Sequence, residues 1–207
     1  MAYAIMRFEK HKAASIGGLA GSLAHTFRSR FTPNADPKRL ADNETLVGVS
    51  DGQAVIDAIQ ARYPKKVRSN AVGCYEFLIT YSPEAEIDPD AYFDRSISWL
   101  EAEFGAENVV SVVRHNDETT PHIAAYVVPV DPESGNLNAR RWTGGAARCS
   151  GLQTRFWEHA GRDFGLERGV KGSKAEHMTI AHWYSVNQSL DDRKKTIEAD
   201  QKQLEAK

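Results

Sequence analysis

Cysteine is scarce in this sequence: Cys74 and Cys149 are the only two among 207 residues. They stand far apart and form no Cys-x-x-Cys pair. That spacing excludes a disulfide framework, a cysteine-rich zinc module and a thioredoxin-like redox motif. A reduced, cytoplasmic protein is the plain expectation. No apolar run approaches the roughly 20 residues that span a bilayer, so no membrane insertion of this part is expected. The opening M-A-Y-A-I-M-R-F-E-K has too short an apolar stretch for a signal peptide. Charge of one sign is not in excess either, because 26 Lys and Arg face 28 Asp and Glu. The near-neutral sum removes any global electrostatic argument for nucleic acid. Internal repeats and low-complexity tracts are lacking too.

What is present is an ordinary globular composition, 41% hydrophobic and 26% charged, on a length that suits one domain with an appendage. The charges are unevenly spread. Acidic residues crowd into 84–107, whereas Arg7, Lys10, Lys12, Arg28, Arg30, Lys65, Lys66, Arg68, Arg140, Arg141, Lys171 and Lys174 lie elsewhere. This pattern can make one face basic or can be a set of unrelated solvated side chains.

Hydrophobic periodicity predicts strands at 2–8, 71–81, 109–115, 122–128 and 137–143, and helices at 16–31, 51–63, 89–104, 146–163 and from about 174 onward. Residues 32–50, with two prolines and several Asn and Asp, read as an extended loop. Adjacent hairpins predict an α+β fold, a central antiparallel sheet of about five strands with helices on one face. A protruding C-terminal helix carries Trp183, Leu190, Ile197 and Leu204 at seven-residue spacing, a pattern that permits self-association.

The sharpest local signal is V-V-S-V-V-R-H-N-D-E-T-T-P-H-I-A-A-Y-V-V at 109–128. Two β-branched runs flank a polar connection with a histidine at each end. If 116–121 is the turn, His115 and His122 oppose each other with Cβ atoms about 5 Å apart. Glu118 lies in the connection. Two imidazoles and a carboxylate suit Zn²⁺, Mn²⁺ or a similar ion and leave positions open for substrate. The other reading is that the histidines merely end two strands. In the helix at 16–31, Leu19, Leu23, Phe27 and Phe31 form an apolar stripe. His25 lies nearly opposite Leu23, on a small polar face with Gly18, Gly21, Ser22, Arg28 and Ser29. Glycines there predict close packing by a backbone or a ligand, while an ordinary exposed helix histidine is the alternative.

H-N-D-E-T-T-P-H-I-A-A-Y-V-V-P resembles the metal-binding motif of the Mob/Pre family, the plasmid mobilisation relaxases of the HUH endonuclease superfamily. M-A-Y-A-I-M-R-F-E-K-H-K, G-G-L-A-G-S-L-A-H-T-F-R-S-R-F-T-P-N-A-D and L-E-R-G-V-K-G-S-K-A-E-H are similar to three further family motifs, in the same order along about residues 1–180. The resemblance implies an HUH relaxase fold with a ferredoxin-like palm. It implies an enzyme that binds the origin-of-transfer hairpin and single strand, nicks one strand with Mn²⁺ or Mg²⁺, and stays joined to the 5′ end. His25 would be the nucleophile, forming a phosphoramidate, with Glu118 orienting it or taking its proton. His115, His122 and Glu118 would be the metal ligands. Family members often carry His-x-His on the second strand, and Ala124 stands in place of that second histidine.

DNA contacts are expected from Arg28, Arg30, Asn34, Lys66, Arg68, Arg140, Arg141, Lys171, Lys174 and His177. Such contacts make binding strongly salt-dependent. The resemblance also implies coupling to conjugation machinery, with 1–185 as the relaxase domain and 186–207 as an exposed helical extension. Two rival readings are a non-catalytic origin-binding protein or autorepressor with a decayed metal site, and a metal-dependent hydrolase that releases its product.

Overall fold

In a computed structural model of the chain, residues 1–172 are described, and Met1–Gly169 form one compact unit. Six strands form one sheet in the order β2-β4-β5-β3-β1-β6. They are β1 (Tyr3–Lys12), β2 (Glu44–Gly48), β3 (Val72–Tyr81), β4 (Val109–His115), β5 (His122–Val127) and β6 (Glu167–Arg168). All pairings are antiparallel except the two-residue β1–β6 edge. The main helices are α1 (Ala20–Thr26), α2 (Gly52–Ala61), α3 (Pro89–Phe104), the single turn α4 (Arg140–Thr143) and α5 (Ala146–Phe156). The α+β sheet expected from the sequence is present, with one strand more and a mixed edge.

Helices cover both faces, not one. Tyr75, Phe77, Ile79, Ile123 and Val112 pack one face against Trp99, Leu100 and Phe104 of α3 and Phe156 of α5. Cys74, Tyr126 and Val110 pack the other face against Leu19, Leu23, Val55 and Ile59. The near-continuous apolar runs of β4 and β5 follow from this double coverage, since a strand buried on both faces has no polar side to alternate. α3 starts on Asp88, whose carboxylate accepts from the Asp90 and Ala91 amides, and stops at Gly105 with φ of 92°. Asp51 caps α2 in the same way, accepting from the Ala54 amide.

Several expected boundaries are corrected. β2 lies inside the stretch expected to be loop, because β4 has an open edge that Glu44–Gly48 fills. β1 runs on to Lys12, through the expected basic turn, because β3 offers an antiparallel partner along that length. The strand expected at 137–143 is only the isolated bridge Val130–Leu137 followed by α4. There the Tyr75 hydroxyl donates to the Ala139 carbonyl and lies 2.6 Å from the Thr143 hydroxyl, fixing a helical turn. α5 passes into a π turn (Trp157–Gly161) and then a 3-10 turn (Arg162–Phe164).

α1 ends at Thr26, five residues before its expected end. The chain reverses at Arg28, which takes a left-handed φ of 53°. Leu19 and Leu23 are buried as the stripe predicts, but Phe31 is thrown outward. The C-terminal helix, Lys174, His177 and Tyr184 lie outside the described residues. Among the described residues, no helix is long and apolar enough to cross a membrane.

Candidate active site

β4 and β5 place His115 directly opposite His122, on the face that α1 covers. The rings meet edge to face with centroids 4.8 Å apart, and His115 Nδ1 lies 2.9 Å from His122 Nε2. The outer nitrogens are committed elsewhere. His115 Nε2–H donates to the Thr26 carbonyl at the end of α1 (2.8 Å), and His122 Nδ1–H donates to the Thr120 carbonyl (3.1 Å). A carbonyl can only accept, so each ring carries its proton on the outer nitrogen. The two facing nitrogens therefore both present lone pairs. Two acceptors at this distance repel unless a proton or cation lies between them. Burial, then the neighbouring His122, holds His115 down to about 3, so a proton is disfavoured. A divalent cation fits this donor set, and Glu118 completes a group whose ligand atoms all lie within 4.8 Å of one another.

The connection between the strands carries a second layer. Asp117 is 1% exposed. Its two oxygens accept from Arg28 Nε (2.8 Å) and Nη2 (2.7 Å), a fork-to-fork pair. Burial alone would raise the Asp117 carboxyl, but the hydrogen bonds and charge of Arg28 outweigh it and hold the group at about 2. Arg28 Nη2 also donates to Glu118 Oε1 (2.8 Å), while the Asn34 amide donates to Glu118 Oε2. Asn43 Oδ1 accepts the backbone N–H of Asn116 and of Asp117, pinning the start of the turn. These contacts stabilise the left-handed Arg28, a conformation that is uncommon outside glycine.

His25 sits one residue before Thr26 in the last turn of α1, with its side chain 29% exposed. Its Nδ1 is 3.3 Å from the Thr32 hydroxyl, whose own hydrogen points to the Arg30 carbonyl. Nδ1 therefore carries the proton and Nε2 the lone pair. Nε2 lies 3.4 Å from Arg28 Nη1 and 3.8 Å from Glu118 Oε1. Burial lowers the pKa of His25, the positive charge of Arg28 lowers it further, and Glu118 only partly opposes them. The His25 Nε2 lone pair is thus turned toward the Arg28 guanidinium, with Glu118 just beyond hydrogen-bond distance.

The four residues expected to form the centre, His25, His115, Glu118 and His122, thus converge. Arg28 and Asn34, expected as DNA contacts, are turned inward onto the carboxylates, and the Arg28 side chain is 8% exposed. Arg30 is exposed nearby. Lys66 and Arg68 line a separate open cavity with Ser134, Asn136 and Asn138, beyond the opposite strand ends. Arg140 is exposed, Arg141 pairs with Asp131 and Glu133, and Lys171 is exposed. Among the described residues no protein atom packs within 4 Å of where a Cβ would stand on Gly18 or Gly21, so of the two contacts expected there the backbone one is not made. Thr26, Thr32, Asn43 and Asp117 were invisible as site residues. The D-E pair within the histidine motif was the one available hint, because a second carboxylate beside a ligand needs a cation of its own. Tyr63, the tyrosine that would be the candidate should His25 not be the attacking group, has its hydroxyl buried against Gly73 without a hydrogen-bond partner, and burial pushes its pKa up to about 12.

The geometry is that of a two-histidine hairpin with a carboxylate beside it, facing a third imidazole on a sheet-packed helix, and the His115–Glu118–His122 group could hold a metal ion. The chain belongs to the plasmid recombination enzyme family (Mob_Pre), whose model matches residues 1–185. It is 40% identical over 198 residues to a 65 kDa protein of Zymomonas mobilis, covering 91% of this chain and 33% of that protein. It is 28% identical over 192 residues to a plasmid recombination enzyme type 2 of Staphylococcus aureus, covering 87% of this chain and 45% of that one. The chain thus spans a third to just under half the length of these relatives. The fold matches Mn-bound crystal structures of the MobM relaxase domain bound to plasmid pMV158 oriT DNA. One superposes with a TM-score of 0.75 at 24% identity, covering 89% of this chain and 99% of that one. Another, with a 3′-thiophosphate on the DNA, gives 0.72 at 25% identity, covering 89% and 98%.

Proposed function

We propose that this chain is the nicking domain of a plasmid-mobilisation relaxase. It binds origin-of-transfer DNA as hairpin and single strand, cuts one strand, keeps the 5′ end on His25 and later rejoins it. The observation that carries this reading is the convergence of a His25 imidazole of lowered pKa on a pair of imidazoles whose own lone pairs face each other beside Glu118. Relatives named for plasmid recombination, and a MobM fold solved with oriT DNA and Mn, support it.

His115 Nδ1, His122 Nε2 and Glu118 would hold a divalent ion, Mn²⁺ or Mg²⁺ first and Zn²⁺ or a similar ion second. When bound, such an ion supplies positive charge that neutralises and polarises the scissile phosphate. Thr32 holds the Nδ1 proton of His25, so Nε2 is presented for attack. An N–P bond forms as the P–O3′ bond breaks, and the released 3′ oxygen takes a proton from water. Attack by the same 3′ hydroxyl in reverse breaks the N–P bond and reseals the strand. Arg28 and Asn34 hold the Glu118 carboxylate in place beside Nε2. With Ala124 in place of a further imidazole, two histidines and one carboxylate leave open positions for phosphate oxygens and water.

Arg30, Lys66, Arg68, Arg140, Arg141, Lys171, Lys174 and His177 are the proposed phosphate contacts. Residues 1–185 are the proposed nicking domain and 186–207 an extension through which the chain self-associates, and the conjugation coupling machinery is a further proposed partner, in the cytoplasm. The test is a denaturing gel of labelled origin single strand incubated with the protein and Mn²⁺. A protein–DNA adduct that survives denaturant and disappears in His25→Ala is expected. Binding without cutting makes this chain an origin-binding protein or autorepressor, and free cut DNA without adduct makes it a hydrolase. Either result rejects the reading.

A further inference from the structure

Phe31 is 85% exposed, and among the described residues only the terminal Met1 is a more exposed large apolar side chain. Single exposed apolar residues are ordinary on protein surfaces. Phe31 differs in how firmly its backbone is held and in what its neighbours touch. The Ser29 and Arg30 amides both donate to the Ala24 carbonyl, at 3.0 and 3.3 Å. On the other side the Ala35 amide donates to the Thr32 carbonyl (3.2 Å), and the Asp36 amide donates to the Asp117 carbonyl (2.8 Å). The loop is therefore tied at both ends to the elements that build the active site. Thr32, the next residue, is 6% exposed and holds His25 Nδ1, and Asn34 holds Glu118. Adjacent Cα atoms are about 3.8 Å apart, so the Phe31 backbone is held within a side chain's reach of Thr32, the residue that orients His25. An exposed aromatic ring on a held backbone, beside the proposed nicking centre, has one obvious complement. Bases of single-stranded DNA expose π faces, and stacking on aromatic side chains is the main sequence-tolerant way proteins hold them.

We propose that Phe31 is a stacking subsite for a nucleobase flanking the scissile phosphate. The inference rests on the nicking reading above. Stacking there would hold the strand so that its phosphate meets His25 Nε2 in line, while the neighbouring cation Arg30 faces the backbone. The subsite is aromatic rather than merely apolar in its demand, and it acts on the single strand rather than on the hairpin.

The test uses the full chain with His25→Ala, so that no cutting intervenes, and origin single strands carrying 2-aminopurine at either position flanking the nick or about ten nucleotides away. Binding is measured in EDTA by anisotropy, and stacking by quenching of the probe. The expected result is quenching at a flanking position only, lost in Phe31→Ala and in Phe31→Leu and kept in Phe31→Trp. The loss of stacking weakens single-strand binding by roughly 5- to 100-fold. In the otherwise unaltered enzyme the same substitutions raise KM and leave kcat within about threefold. Unchanged quenching in Phe31→Ala, or full binding by Phe31→Leu, overturns the subsite while leaving the nicking reading intact. Failure of the parent protein to bind the strand at all overturns both.

Discussion

Two histidine–carboxylate clusters occupy the same face of the sheet, and only one of them is poised for a cation. His115, His122 and Glu118 form the first; Glu9, His11 and Glu76 form the second, with ligand atoms equally close. In the second, His11 Nε2 lies 2.9 Å from Glu76 Oε2, and the Ser22 hydroxyl donates to Glu76 Oε1, with the Tyr126 hydroxyl 3.5 Å from the same oxygen. The Glu76 carboxylate is satisfied from within, the His11 and Glu76 side chains are nearly a fifth exposed, and Glu9 is exposed. In the first, backbone carbonyls hold both ring protons outward and leave two lone pairs facing each other. Proximity of ligand types is common to both clusters. An unmet electrostatic demand distinguishes the first.

The largest expected effect breaks the first cluster's support. Arg28→Ala leaves buried Asp117 without its partner and should cost about 3–5 kcal/mol in urea unfolding. His11→Ala removes a part-buried hydrogen bond to Glu76 at the rim and should cost less than about 1 kcal/mol. Equal losses would erase the contrast.

Acid comes next. His115 has a folded value of about 3 against an ordinary 6.5, so the unfolded chain binds its proton first. Stability is therefore full above about pH 6.5 and declines as pH falls toward 3, by on the order of 2–3 kcal/mol at pH 4. Asp117 adds to the loss below its ordinary 3.8, because its folded value is about 2. His115→Ala should flatten the slope of urea midpoints between pH 6.5 and 4, and an unchanged slope assigns the acid sensitivity elsewhere.

Smaller still is the effect of completing the ligand set. Ala124 follows His122 by two residues and shares its sheet face. Ala124→His should tighten Mn²⁺ binding about tenfold, worth ~1.4 kcal/mol. Weaker binding would mean that this position, 6% exposed beside Leu78 and Val113, has no room for an imidazole.

The central hairpin was legible in the sequence because two β-branched runs around a polar connection can pair in one register that joins both histidines. His25 was legible because Leu23 of α1, with Leu19 just before that helix, forms a buried stripe that turns His25 away from the core. Phe31 was misread because periodicity carries no information about where a helix stops. Here the stop is set by Arg28, whose unusual backbone is stabilised by Asp117, 89 residues away in sequence. Long-range support of this kind leaves no local pattern. The same holds for Thr26 and Thr32, whose roles depend on one carbonyl and one hydroxyl meeting distant rings. β2 and β6 escaped notice because an edge strand needs only an open partner edge, and five- and two-residue segments show little alternation.

The most direct measurement is a calorimetric Mn²⁺ titration of the metal-free protein, of His115→Ala and of Glu76→Gln. One ion per chain in the parent, abolished by His115→Ala and changed by less than about twofold in Glu76→Gln, is the predicted result. Binding that survives His115→Ala, or that is lost in Glu76→Gln, would contradict the account.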